Sequence, residues 1–155
     1  MIENSSDQSA RSHEMLSFSV GGQSYALEIM SVREIRGWAQ PTPLPHAPAY
    51  VRGVINLRGT VLPIVDLALR LGLSEVEVTE RHVIIVVHVG AQTVGLLVDA
   101  VSDILTVSGE AMQAPPDMPS GATGSFVEAL TIVDERMIRI LNIGALLPDV
   151  TQDAA

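Results

Sequence analysis

Aliphatic and polar positions alternate along most of the chain in short bursts. Leu16, Phe18 and Val20 face one way and Ser17 and Ser19 the other, and Tyr25, Leu27 and Ile29 repeat the pattern after Gly21-Gly22-Gln23. A period of two over so few residues marks a half-buried strand, and the intervening glycines make the pair a hairpin. The signal returns over 51–57 and 60–65, over 82–89 and 93–98, over 101–107, and over 126–133 and 137–141. Residues 32–37 fit a short strand or a helical turn. Turn signals recurring about every ten residues predict an all-β chain rather than alternating β/α units, and about ten strands suit two small barrels or one larger sandwich.

Polar punctuation refines this outline. Residues 1–14 have no period and read as a flexible tail, as do 149–155. Pro41, Pro43, Pro45 and Pro48 stiffen a crossing loop, a reading preferred to a Pro-x-x-Pro ligand. Asp66 is placed to cap a helical turn over 66–72 that Gly72 ends, and a second turn over 142–147 stops at Pro148. A charged connector fills 74–81. A long loop over 108–125, rich in Pro, Gly and Met, is of the kind that contacts partners.

The segment 51–67 organises the rest. Its aliphatic residues suit a pleated surface, and Gly53 and Gly59 bracket Asn56-Leu57-Arg58, so left-handed backbone is available on both sides of the polar pair. Pro63 cannot donate to a ladder and predicts a sheet edge or a bulge. On pattern alone the segment is a core hairpin.

Composition removes many function classes. Eighteen acids against nine bases give a net charge of −9, which disfavours nucleic acid and anionic membrane. Aromatic residues make up only 3%, so stacking platforms for bases or sugars are scarce. The absence of cysteine excludes disulfides and thiol chemistry. No apolar run approaches the ~20 residues of a membrane span. Residues 1–7 lack an export pattern, and the cytoplasm is expected. His13, His46, His82 and His88 show no metal-ligand spacing and read as satisfied or solvent-facing side chains. Gly90 and Gly95 begin a P-loop-like spacing, but Leu96-Leu97 stands where Lys-Ser/Thr is needed. No catalytic or cofactor site is expected.

The segment 51–67 resembles the signature of the CheW family of chemotaxis coupling proteins, with Asn56-Leu57-Arg58-Gly59 followed by Leu62-Pro63-Ile64-Val65-Asp66-Leu67. Val32-Arg33-Glu34-Ile35-Arg36-Gly37, the run from Val94 to Leu105, and Met137-Ile138-Arg139-Ile140-Leu141-Asn142-Ile143 are similar to other parts of that family in the same order. The resemblance implies two packed five-stranded SH3-like barrels within a single domain over 15–148. One barrel is expected over about 21–80, and the other over about 81–148 together with the 16–20 strand. It further implies a non-enzymatic, cofactor-free adaptor that couples the cytoplasmic tip of chemoreceptors to the CheW-like regulatory domain of the histidine kinase CheA. On this sequence it places the kinase contact at Arg52, Gly53, Arg58 and Val61. The receptor contact falls in a groove between the barrels at Val32, Ile35, Val83, Val94 and Gly95, and Glu34 and Arg58 form a charged pair. Gln113 and Met118 stand where family members carry a basic and an aromatic residue of a second kinase contact, so weaker ring contacts are expected. The alternatives are a coupler of a non-swimming pathway such as pilus-driven motility, and a small-barrel binder of RNA or small ligands.

Overall fold

A computed structural model describes residues 12–73, 78–114 and 126–147. Ten strands follow in order: β1 (Ser12–Val20), β2 (Gln23–Glu28), β3 (Val32–Gly37), β4 (Val51–Leu57), β5 (Thr60–Asp66), β6 (Val83–Val89), β7 (Gln92–Val98), β8 (Ala100–Ser108), β9 (Val127–Val133) and β10 (Arg136–Leu141). Two four-residue helices, α1 (Leu67–Arg70) and α2 (Ile143–Leu146), follow β5 and β10. The predicted hairpins are all present, and 32–37 resolves as a strand. β1 begins at Ser12, inside the stretch expected to be tail, because Ser12 to Leu16 pair with Ser108 to Ile104 on β8.

The strands form two five-stranded sheets, ordered β3-β6-β7-β5-β4 and β8-β1-β2-β10-β9. Each curls into an SH3-like barrel. In the first barrel Thr42, just beyond edge strand β3, exchanges two backbone hydrogen bonds of 2.8 and 2.9 Å with Val54 on the opposite edge. In the second barrel Gln113, just beyond edge strand β8, does the same with Leu130 at 2.7 Å. Each bridge ties the two edges of its sheet together at one point and shortens the open edge that could template further strands.

The expected division of the chain between the barrels needs correction. The whole β1–β2 hairpin belongs to the second barrel, and the β6–β7 hairpin belongs to the first. The deciding contacts are parallel: β5 pairs with β7 through Ile64 and Gly95, and β10 with β2 through Ile140 and Ala26. Pro63 is not at a bulge, but it does lie where one side of β5 is an unpaired edge. It lies one residue ahead of the first β5–β7 pair, where its missing N–H breaks no ladder on that side. The bulge falls on β4, where Arg52 is the extra residue between the Val51–Val65 and Gly53–Ile64 pairs.

Three apolar clusters follow from this arrangement. Ile55, Leu62, Ile64, Ile84, Val86 and Leu97 fill the first barrel, while Met15, Ala26, Val107, Ile138 and Ile140 fill the second. The largest cluster lies between them, with Leu16, Phe18, Tyr25 and Leu27 packed against residues such as Val65, Ile85, Val87 and Leu96. Each fully buried aliphatic contributes about 1.5–3 kcal/mol, so this shared core makes the two barrels one body.

Candidate functional site

The β4–β5 turn carries the polar residues of the central segment on a strained backbone. Arg58 and Gly59 both take positive φ, 52° and 87°, as the two central residues of a type I′ turn must. Asn56 Oδ1 accepts the Gly59 N–H at 2.8 Å and fixes the corner from inside. The Arg58 guanidinium, 72% exposed, reaches back to β3 and donates to Glu34 Oε1 at 2.5 Å, while Arg36 stands 3.9 Å from the other Glu34 oxygen. The expected Glu34–Arg58 pair therefore forms between β3 and the β4–β5 turn. Such an exposed pair contributes ~0–1 kcal/mol to stability, so its main effect is to hold the turn in one place.

A cleft of about 440 Å³ opens beside this pair, lined by Arg33, Glu34, Leu57, Arg58, Thr60, Leu62, Val86 and Thr93. Two aliphatic side chains stand out in water: Val61, 67% exposed on β5, and Ile35, 46% exposed on β3. Val32 and Val83 are half-buried and pack against the inter-barrel core. The first barrel thus presents aliphatic surface around a charged corner.

Four of the expected contact residues are not free surface. Val94 is 1% exposed within the inter-barrel core. Gly95 is buried, and a Cβ there would lie 2.8 Å from both Ile64 Cδ1 and Ile84 Cγ2. Gly53 is also buried, at φ 144°, and a Cβ would fall 2.2 Å from the Thr42 carbonyl oxygen. Its lack of a side chain is what lets Thr42 approach β4 and close the barrel. Arg52 turns inward, donating from Nε (2.8 Å) and Nη2 (2.7 Å) to Asp66 Oδ2, a carboxylate only 7% exposed. Asp66 Oδ1 accepts the Leu69 N–H at 3.3 Å, which confirms the predicted cap of α1. Asp66 as the partner of Arg52, and Thr42 as the neighbour of Gly53, were not visible in the sequence. A bulge and a barrel-closing bridge create these contacts, and neither has a local motif.

His82 and His88 have hydrogen-bond partners, and His46 is solvent-facing. His82 Nδ1 accepts the Thr79 N–H at 3.1 Å, and its Nε2 lies 3.4 Å from Asp99 Oδ1, while His88 bonds the Thr93 hydroxyl at 2.7 Å. Gln113 is exposed, with its backbone engaged in the bridge to Leu130. Met118 lies outside the described residues. Among the described residues no helix is long and apolar enough to cross a membrane.

A family model described as the CheW-like domain matches residues 14–151. The chain belongs to the CheW family. It is 53% identical over 142 residues to the chemotaxis protein CheW of Rhizobium meliloti, covering 92% of each chain. It is 35% identical over 134 residues to the chemotaxis protein CheW of Klebsiella aerogenes, covering 86% of this chain and 81% of that one. The crystal structure of the scaffolding protein TtCheW from Thermoanaerobacter tengcongensis superposes with a TM-score of 0.79 at 31% identity, over 85% of this chain and 90% of that one. Within the CheW fold, then, the signature residues divide in two. Arg58 and Val61 reach the surface, whereas Arg52 and Gly53 build the strand behind them.

Proposed function

We propose that this CheW-family chain is a non-catalytic adaptor that binds the cytoplasmic tip of a chemoreceptor and the CheW-like regulatory domain of the histidine kinase CheA at the same time, at chemoreceptor arrays. The observation that carries the reading is the first-barrel surface, where exposed Val61 and Ile35 flank the pinned Arg58–Glu34 corner. Arg58 and Val61 form the kinase contact, and Arg52 and Gly53 support it from behind. Val32, Ile35 and Val83 form the rim of the receptor groove, Val94 packs beneath it in the inter-barrel core, and Gly95 supports it from within the first barrel. Each aliphatic anchor buried against a partner contributes about 1.5–3 kcal/mol, so three or four support micromolar binding after the cost of association.

Replacing Arg58 with Ala separates this reading from a purely structural one. Stability should fall by no more than ~1 kcal/mol, since the pair is exposed. Receptor-coupled kinase activation in a reconstituted assay should fall about tenfold or more, because the charge and the turn are presented to the partner. Kinase activation that falls only in step with melting temperature would reduce Arg58 to a structural residue.

A further inference from the structure

Each barrel carries one short helix, α1 after β5 and α2 after β10, and one cation joins them. Arg70, the last residue of α1, donates from Nε to the Leu146 carbonyl and from Nη2 to the Ala145 carbonyl, both at 3.1 Å. Those carbonyls belong to the last turn of α2 in the second barrel, where a positive charge is favoured. The guanidinium also lies over the faces of two rings, its Cζ 4.2 Å from the centroid of Tyr50 and 4.8 Å from that of Phe126. The rings are counterparts: the Asp66 N–H donates to the Tyr50 carbonyl ahead of α1, and the Asn142 N–H to the Phe126 carbonyl ahead of α2, each at 2.7 Å. Arg70 therefore occupies the place where the corresponding ends of the two halves meet, and only one half supplies the charge.

The apolar core between the barrels holds them together, but burial is non-directional and tolerates small shifts of one sheet over the other. A planar guanidinium held by two carbonyls and two ring faces is directional. We propose that Arg70 is a positioning residue that fixes the setting of the second barrel against the first, and with it the width of the groove rimmed by Val32, Ile35 and Val83. The kinase contact at Arg58 and Val61 lies wholly on the first barrel and does not depend on that setting. This inference rests on the adaptor reading for its binding arm and on the structure alone for its exchange arm.

The test uses the full chain and its Arg70→Lys variant, which keeps the charge but loses the planar fork. Amide hydrogen exchange is measured by NMR, and affinities are measured separately for a receptor-tip fragment and a CheA regulatory-domain fragment. Exchange at Leu146 and Leu147 should speed up about tenfold, with β4 and β5 unchanged, and receptor-fragment affinity should drop about five- to tenfold while kinase-fragment affinity stays within about twofold. Unchanged exchange in α2, or equal loss of both affinities, overturns the positioning role. Should the lysine variant fail to fold, Tyr50→Leu and Phe126→Leu each remove one ring face and carry the same comparison. If the wild-type chain binds neither fragment, the adaptor reading fails, and the exchange arm still decides whether Arg70 clasps α2.

Discussion

The two barrels are built from the same parts in the same spatial order, yet they are filled differently. β3, β4, β5, α1, β6 and β7 correspond to β8, β9, β10, α2, β1 and β2, with the last hairpin of the second set moved to the start of the chain. Bulges match: Arg52 is the extra residue on β4, and Glu128, between Val127 and Ala129, is the extra residue on β9. Turns match too, with Arg58 and Gly59 at φ 52° and 87° against Asp134 and Glu135 at 51° and 67°. The contents diverge at each of these points. Arg52 meets a helix-capping Asp66, whereas Glu128 shares a surface pocket with Glu28 and with Asn142, whose side chain makes no cap hydrogen bond. Gly53 corresponds to Ala129. The second barrel thus closes and turns without the glycine, without the arginine–aspartate pair and with two acidic residues at the turn positions that Arg58 and Gly59 hold in the first. Those features are therefore not what the fold demands. They belong to the first barrel's surface and to the strand that supports it.

Substitutions at matched positions put that contrast at risk. The largest effect is expected for Gly53→Ala, since the new Cβ would meet the Thr42 carbonyl and the residue would keep an unfavourable φ. A loss of about 3 kcal/mol or more, seen as a drop in Tm of roughly 10 °C, is expected, and a variant as stable as wild type would mean that the first barrel tolerates alanine as the second does. Arg52→Ala comes next. It leaves the Asp66 carboxylate buried without its partner and should cost about 2–3 kcal/mol by denaturant titration, below the figure for a fully buried pair because Arg52 is partly solvated.

Smaller effects with the opposite sign are expected in the second barrel. Glu135 pays for a left-handed backbone that Gly59 accepts freely, so Glu135→Gly should raise stability by about 0.5–1 kcal/mol, and destabilisation would show that its side chain contributes something unseen. Glu128 has its carboxyl pKa raised, first by loss of hydration and then by the neighbouring Glu28, with His13 opposing. A raised acid favours the folded state when protonated and penalises it once ionised as pH climbs through the folded-state value. Glu128→Gln should therefore raise stability slightly at neutral pH, by well under 1 kcal/mol for this exposed residue. The gain should vanish below the ordinary glutamate range, and a pH-independent difference would contradict the electrostatic cause.

The strands and their turns were readable in the sequence because period-two alternation and glycine-bearing turns are local signals. Asp66 was readable as a cap for the same reason: it directly precedes a short apolar helix. Which hairpin joins which barrel was not readable. That choice rests on the parallel pairings Ile64–Gly95 and Ile140–Ala26, which link distant segments and leave no periodic trace. The internal correspondence of the barrels was hidden as well, since the matched positions share backbone shape and not residue type. At the candidate site the charged pair was readable from the resemblance, while the inward turn of Arg52 and the burial of Val94 and Gly95 came only from three-dimensional packing.

The proposed adaptor role requires one first-barrel surface and the adjoining groove to serve two protein partners at once. Size-exclusion chromatography with light scattering on the purified chain, a chemoreceptor-tip fragment and the CheA regulatory domain tests it most directly. A single species containing all three components is expected, with each pairwise complex also formed. Elution of the chain by itself in the presence of both fragments, or displacement of one partner by the other, would contradict the claim.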